Sequence, residues 1–255
     1  IKQTVTYAYN KGVTWAVLSD FERLIVYVAQ TGEPFLTLSC DKYLPEFDDL
    51  WLLSKEGFHA DALVQKAEKY GKLPPRLGVE QRLFGQLRQW RGILSGELLQ
   101  FNENLNFGQI DEVIQRLFNR LIFIRTAEDR GIEDKHLRSM VNQSKSPGHK
   151  NKLLEELREL FRELDGYYDS ELFALHIVDK VYILDATLET IIEGLYEIRG
   201  GMLSYDFSII DADVLGAVYE QYLGYVAEAV KQKAKEAQTK LDLGILTETI
   251  SLTEK

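Results

Sequence analysis

The chain has 255 residues, of which 45% are hydrophobic and 27% charged, and its formal net charge is −10. This length accommodates one large domain or two ordinary ones, and the composition excludes a disordered chain. The net charge excludes a surface that is basic all over, but not a local basic groove, because nucleic-acid affinity follows local phosphate contacts.

The N-terminal part predicts short strands followed by helical segments. Residues 15–18 and 24–28 form two apolar runs, with Ser19–Asp20 starting the turn between them, and residues 35–39 predict a third strand. Residues 44–70 then change to helical spacing. The expected buried positions of that segment are Leu50, Leu53, Phe58, Leu63 and Ala67.

Residues 71–79, GKLPPRLGV, contain two prolines and two glycines and predict a domain boundary, with domains at 1–70 and 71–255. Beyond it the spacing is almost entirely helical. Helices are expected at about 80–100, 109–130, 151–164, 171–176, 178–198 and 211–236, with a loop at 142–151. The predicted fold class is therefore mainly α, a helical bundle preceded by a small α/β part of two to three strands.

Residues 120–134, RLIFIRTAEDRGIED, place a dense charge cluster on an otherwise apolar helix. Helical spacing puts Arg125 at the end of an apolar face and brings Glu128 and Asp129 within reach as i,i+3 and i,i+4 partners. Gly131 is the expected end of this helix. We predict a structural ion-pair cluster that fixes the helix to its neighbours at an interdomain junction. Its members are Arg120, Arg125, Glu128, Asp129 and Arg130.

An alternative interpretation of this cluster is functional, with Arg120 or Arg130 facing DNA or an adjoining domain. In either interpretation, a buried arginine is tolerated only if carboxylates and carbonyls satisfy its donors.

The segment 211–224, DADVLGAVYEQYLG, predicts another helix with an apolar face. We expect this face to pack against a following domain, and Gly216 to permit a close approach between helices. The expected apolar positions are Val214, Leu215, Val218, Tyr222 and Leu223, with Tyr219 beside them.

Common catalytic motifs are absent from the sequence: there is no GxGxxG, GxxxxGK[ST], HExxH or paired CxxC. The four histidines (His59, His136, His149 and His176) lie far apart without ligand spacing, so no metal site is predicted. The only cysteine, Cys40, excludes an intramolecular disulfide and favours a reducing, cytoplasmic setting. No apolar run approaches the ~20 residues that a membrane-spanning helix needs, so no membrane partner is expected.

Three segments resemble the large single-chain type IIG restriction–modification enzymes and related adenine-specific DNA methyltransferases of phage-defence systems. They are QTVTYAYNKGVTWAVLSDFERLIVY (3–27), QRLFNRLIFIRTAEDRGIED (115–134) and SYDFSIIDADVLGAVYEQYLG (204–224). EFDDLWLLSKEGF (46–58), LPPRLGVEQRLF (73–84) and DGYYDSELFA (165–174) are also similar to that family. The resemblance therefore covers most of the chain.

The resemblance implies that the chain is a fragment of a longer protein. Residues 1–70 would be the C-terminal part of a PD-(D/E)xK nuclease-like domain, and residues 71–255 a helical connector with the helical front of a methyltransferase region. The nuclease catalytic residues would precede Ile1, and the S-adenosylmethionine loop and Asn-Pro-Pro-Tyr motif would follow Lys255. The fragment is expected to bind no cofactor itself, whereas its parent would use S-adenosylmethionine and Mg²⁺ and act on DNA. A processed or renumbered complete protein is the alternative explanation for a chain that begins at Ile1.

Gln3 and Tyr7 form a Q-x-x-x-Y pattern similar to an accessory motif beside the nuclease centre of related restriction enzymes. An amide and a phenol one helical turn apart can both reach a phosphate or a catalytic side chain. The alternative is the end of an amphipathic helix, with Tyr7 packed on the sheet.

Two basic stretches are candidates for contact with the DNA backbone, since lysines position a protein on phosphates without reading sequence. The alternative for each is a solvated polar face. The first stretch comprises Lys145, His149, Lys150 and Lys152, and the second comprises Lys231, Lys233, Lys235 and Lys240.

The leading functional hypothesis is a scaffold that holds nuclease and methyltransferase together in a restriction–modification enzyme. A non-catalytic helical interaction module from another system is the first alternative. A phage-defence methyltransferase without cleavage activity is the second, and it cannot be separated from the first hypothesis by residues in this chain.

Overall fold

A computed structural model describes residues 1–72, 78–146, 148, 151–198, 203–228 and 231. In chain order its elements are α1 (Lys2–Asn10), β1 (Trp15–Ser19), β2 (Arg23–Val28), β3 (Pro34–Ser39), α2 (Phe47–Trp51), α3 (Lys55–His59), α4 (Ala62–Lys69), α5 (Val79–Phe101), α6 (Phe107–Asp129), α7 (His136–Ser144), α8 (Leu153–Tyr168), α9 (Asp185–Gly194), β4 (Glu197–Ile198), β5 (Leu203–Ser204) and helical residues 212–228, here α10. The predicted class, mainly α with a small strand-containing part, is confirmed.

The three N-terminal strands form one antiparallel sheet in the order β1-β2-β3. Trp15 pairs with Val28 and Ser19 with Leu24 across the first hairpin, while Arg23 pairs with Ser39 across the second. The register shifts between Val26 and Tyr27, which marks a bulge in β2. All three strands lie where the apolar runs predicted them.

The sheet lies between two apolar clusters because alternate side chains of a strand point to opposite faces. Val26 joins a small cluster with Leu63 of α4, whereas Tyr27 joins the large cluster built by the helices from α5 onward. Helix α1 also contributes to the large cluster, and the Asn10 amide donates to the Ser204 carbonyl at 3.0 Å. Residues on both sides of 73–77 thus share one apolar core. Residues 73–77 lie outside the described part of the chain, and the division into two domains stays a prediction.

Several elements differ from the predictions. Residues 44–70 form three short helices, and Phe58 is exposed while Leu63 and Ala67 are buried as expected. Residues 171–176 are turns rather than a helix, because the carbonyls of residues 172–174 are bound by an arginine side chain described below. Helix α9 starts only at Asp185 and is followed by β4, where a helix to residue 198 was predicted.

Helix α10 packs on α5 and α6 of this chain. The Tyr222 ring meets Phe118 edge-on at 5.9 Å between centroids, and the Tyr219 hydroxyl bonds to Asn119. We predicted that this apolar face would pack against a following domain. For its buried residues this prediction is wrong, because they pack against helices of this chain. Among the described residues, no neighbouring element lies within 4 Å of the position that a Cβ on Gly216 would occupy, so Gly216 does not mediate a close approach between these helices.

A close approach between helices occurs instead at Gly194, the last residue of α9, which lies directly against the indole ring of Trp90 on α5. Within the described residues, no helix combines the length and apolar character required to span a bilayer.

Candidate functional site

Helix α6 carries the charged cluster, and both of its ends are fixed by capping. At the start, the Asn106 side chain accepts from the Gln109 backbone N–H at 2.9 Å while the Gln109 side chain accepts from the Asn106 N–H at 3.0 Å. At the end, Gly131 adopts φ +68°, and its N–H and that of Ile132 bond to the carbonyls of Glu128 and Ala127. This arrangement closes the helix in a Schellman motif, as expected of glycine at this position.

Arg125 lies at the centre of a buried ion-pair network. Its side chain is 1% exposed. Its guanidinium donates to both carboxylate oxygens of Asp129, at 2.8 and 2.6 Å, and to Glu128 at 3.2 Å. The same group lies over the Tyr196 ring, 3.7 Å from its centroid, so an aromatic face shields it from water.

The two carboxylates extend this network to three further segments. Glu128 accepts from the Leu137 backbone N–H of α7 at 2.9 Å and from the Tyr196 hydroxyl. Asp129 accepts from the Phe207 N–H at 2.9 Å, in the segment that follows β5. Burial, followed by the hydrogen bond to Glu128, raises the pKa of Tyr196, so its hydroxyl stays protonated as a donor. The network therefore connects the end of α6 to the start of α7, to Tyr196 before β4 and to Phe207 after β5.

Arg120 forms a separate buried site five residues earlier on α6. Its side chain is 0% exposed and donates to the Asp179 carboxylate at 2.5 Å. It also donates to three consecutive backbone carbonyls, those of residues 172–174, at 2.8–3.2 Å. Its guanidinium lies 4.8 Å from the Phe161 ring centroid. The alternative that Arg120 faces DNA is wrong, because the chain's own loop encloses the guanidinium.

The remaining predicted residues do not join either site. Arg130 is exposed at the helix end and lies apart from the Arg125 network. Gln3 and Tyr7 both lie on α1 and are both exposed, with Tyr7 53% accessible. The alternative that packed Tyr7 on the sheet is therefore wrong, and the accessory-motif interpretation stays a prediction.

The basic stretches are only partly within the described residues. Lys145 is exposed and pairs with Glu193, whose hydrogen bond raises the pKa of the ammonium group. Lys152 and Lys231 are exposed. His149, Lys150, Lys233, Lys235 and Lys240 lie outside the described residues, so contact of these stretches with DNA stays a prediction.

Buried polar residues that the sequence analysis missed complete the helical framework. Glu97 on α5 accepts from the Leu184 N–H and the Thr187 hydroxyl and so caps the start of α9. Arg91 on α5 pairs with Asp111 on α6. Spacing along one helix could not reveal these partners, because they lie on different elements. Within the described residues, no group of three or more histidine, cysteine or acidic side chains is placed to hold a metal ion.

The geometry assigns both arginine sites to the joining of segments. Each guanidinium is satisfied by carboxylates and carbonyls and is covered by aromatic rings, so no donor is directed into an open cleft. Such an arrangement fixes the relative positions of the elements that it connects.

Comparison with known proteins gives one distant relationship. The chain is 24% identical over 243 residues to the type II restriction enzyme and methyltransferase RM.Eco57I of Escherichia coli. The similarity covers 87% of this chain and 22% of that protein, so the chain spans about a fifth of its relative's length. No family model and no solved structure matches. The chain is thus a distant relative of a restriction–modification protein.

Proposed function

We propose that this chain is the helical scaffold of a DNA restriction–modification enzyme, holding a nuclease part and an adenine-N6 methyltransferase part in fixed relation. The observation that carries the proposal is the similarity to a combined restriction enzyme and methyltransferase along 87% of the chain. In this proposal, DNA is the substrate of the whole enzyme, which uses Mg²⁺ for cleavage and S-adenosylmethionine for methylation. Among the described residues, no group of three or more histidine, cysteine or acidic side chains is placed to hold a metal ion. No residue of this chain is assigned to S-adenosylmethionine.

The packing of the chain supports a scaffold role. The large apolar cluster includes α1, part of the sheet, and the helices from α5 onward. The Arg125 network and the Arg120 site then connect α6 to segments 50 to 80 residues further along the chain. A scaffold that transmits a fixed geometry between two activities needs such long-range connections, because a chain held only by local contacts bends at its loops.

The first test uses the full polypeptide that carries this sequence. Methylation is measured as transfer of tritiated methyl groups from S-adenosylmethionine to duplex DNA, and cleavage is measured with Mg²⁺. We expect Arg125→Ala to reduce both activities together, because both depend on the same scaffold. The control Lys69→Ala, at an exposed position on α4, should leave both unchanged. Full methylation and cleavage by a variant whose scaffold is shown to be unfolded would reject the proposal.

The same assay separates the alternatives. Methylation without cleavage by the wild-type protein would favour a defence methyltransferase that does not cut. Neither reaction on any duplex would favour an interaction module.

A second test asks whether the scaffold itself contacts DNA. Anisotropy of a fluorescent random duplex is measured with this purified chain at low and moderate salt. Affinity that falls steeply with salt would indicate phosphate contacts by the basic stretches. The matched variants are Lys152→Glu, which should weaken such binding, and Lys69→Glu, which changes the same charge at an exposed position on α4. Absence of binding at low salt would confine DNA contact to other parts of the enzyme.

A further inference from the structure

The turn between β1 and β2 presents an exposed aromatic residue in an unfavourable backbone conformation. Phe21 has φ +69° and is 93% exposed. The left-handed region suits glycine, asparagine or aspartate, whereas a bulky aromatic residue there is an outlier. Because the ring is exposed, contacts within this chain do not compensate for the strained backbone.

Hydrogen bonds hold the turn in this shape. The Asp20 carboxylate accepts from the Arg23 N–H at 2.7 Å, and the Ser19 hydroxyl oxygen accepts from the Phe21 N–H at 3.3 Å. The Asp20 N–H also donates to the Arg23 carbonyl at 3.2 Å. The aromatic ring is therefore held outward by a preformed turn at the end of a paired hairpin.

Strain that is held in place by its surroundings often marks a functional position. A rigid aromatic side chain that projects from a preformed turn loses little conformational entropy on binding, and such residues supply much of the energy of protein interfaces. The turn thus has the properties of an interface anchor.

The charges around Phe21 indicate the chemistry of its partner. Asp20 and Glu22 flank it in sequence, and both are exposed. The Glu22 carbonyl accepts from the Cys40 N–H at 2.8 Å, which brings the exposed Asp41 to the same end of the sheet. Arg23, which pairs with Asp20 at 3.6 Å, and the exposed Lys42 reduce the net charge at this end of the sheet to −1. This remaining negative charge disfavours a ring that inserts between DNA phosphates and favours a protein surface with basic residues.

We propose that Phe21 is an interface anchor that inserts into an apolar pocket with a lysine- or arginine-rich rim on another part of the restriction–modification protein. The inference rests on the proposed function, in which this chain contacts the parts of the enzyme that it connects. The acidic residues beside Phe21 orient the contact, and the preformed turn presents the ring.

The test places a photo-crosslinker at the anchor in the full polypeptide, by Phe21→p-benzoylphenylalanine. Irradiation with duplex DNA present, followed by mass spectrometry, identifies the attached segment. We expect one dominant crosslink to a protein segment outside residues 1–255 that contains lysine or arginine. The matched control is Tyr167→p-benzoylphenylalanine on α8, which is 77% exposed and should give no dominant product.

A dominant crosslink to DNA would overturn the proposal in favour of a DNA-inserting wedge. A product within residues 1–255, or a pattern equal to that of the control, would also overturn it. Glu22→Lys in the crosslinker background should lower the yield several-fold by reversing a complementary charge. An unchanged yield would contradict the basic rim.

Folding is checked with Phe21→Gly in this chain. Glycine relieves the positive φ, so the melting temperature should be unchanged or higher, while in the full polypeptide the contact should weaken by about tenfold or more, as for an interface anchor. Protection of the crosslinked segment from hydrogen exchange reports that contact, and unchanged protection would overturn the proposal. If the enzyme neither methylates nor cleaves DNA while the crosslink persists, the proposed function fails and the anchor stands.

Discussion

Arg125 and Asp129 form a two-point ion pair across one turn of α6, with Nη1–Oδ1 of 2.8 Å and Nη2–Oδ2 of 2.6 Å. Paired planar groups of this kind make strong, direction-dependent hydrogen bonds. Their side chains are 1% and 15% exposed, so water can replace the lost partner of Asp129 only in part and that of Arg125 hardly at all.

We predict that Arg125→Ala destabilises the chain by about 3–5 kcal/mol, because the truncation leaves the buried Glu128 and the largely buried Asp129 without their cation. Urea unfolding followed by circular dichroism measures the change. The control Arg130→Ala removes an arginine from an exposed position at the same helix end and should change stability by ~0.5 kcal/mol or less. Equal urea midpoints for the two variants would show that the Arg125 network contributes no stability.

Arg120→Lys should also destabilise the chain, by about 3 kcal/mol or more, although it preserves the charge. An ammonium group cannot reach Asp179 and the three carbonyls that the planar guanidinium binds together. Amide hydrogen exchange in residues 170–180 measures the effect locally and should increase more than exchange in α1. Uniform exchange rates across these segments would contradict a local role.

The sequence predicted the partners of Arg125 but not those of Arg120. Arg125, Glu128 and Asp129 lie within one turn of a helix, so spacing alone predicted that they could pair. The Arg120 partner, Asp179, lies 59 residues away, and the folding of the intervening chain decides that contact. Spacing along a helix also grouped Arg130 with the network, although its side chain points to solvent.

In the fold as well, the sequence predicted elements that depend on local spacing but not those that depend on distant contacts. Alternating apolar runs placed β1, β2 and β3 correctly, and helical spacing placed α5 and α6. The sequence did not predict α7, nor the turns at 171–176, whose conformation depends on the distant Arg120. Nor could it distinguish Gly194, which lies against Trp90 of another helix, from Gly216, which has no neighbouring element within 4 Å in the part of the chain that the structure describes.

Gly194→Ala should destabilise the chain by about 1–3 kcal/mol, because the new methyl group would overlap the Trp90 ring. The control Gly216→Ala should stabilise it by up to about 1 kcal/mol, since alanine is the better helix former and the site is open. Thermal unfolding of both variants tests the pair. A loss of stability in Gly216→Ala would contradict its open position in α10.

Stability should fall in alkaline solution. The hydrogen bond to Glu133 raises the pKa of Tyr168 from the ordinary value of 10.0 to about 12. Burial raises the pKa of four further tyrosines, which are Tyr196, Tyr205, Tyr219 and Tyr222. The folded state therefore favours the protonated hydroxyls. Their contribution is complete below pH 10 and is lost as the pH rises above it, because the unfolded chain ionises first.

Urea midpoints between pH 7 and 11 measure this loss, and absorbance at 295 nm reports tyrosinate. The tyrosinate that comes from Tyr196, Tyr205, Tyr219 and Tyr222 should form together with unfolding rather than before it. Tyr205→Phe removes one buried hydroxyl and should make the decline less steep, and an identical slope would contradict this assignment.

Arg120 binds the loop after α8 mainly through main-chain atoms, so the side chains of that loop can vary in sequence without loss of these contacts. Except for Asp179, its acceptors are main-chain carbonyls, which every amino acid carries. The side chain of Ala174 is exposed, and Leu175 beyond it is 77% exposed. Substitutions at these two positions therefore preserve the hydrogen bonds between Arg120 and the loop. The polarity and charge of the exposed surface of the loop can then change while its backbone conformation is retained.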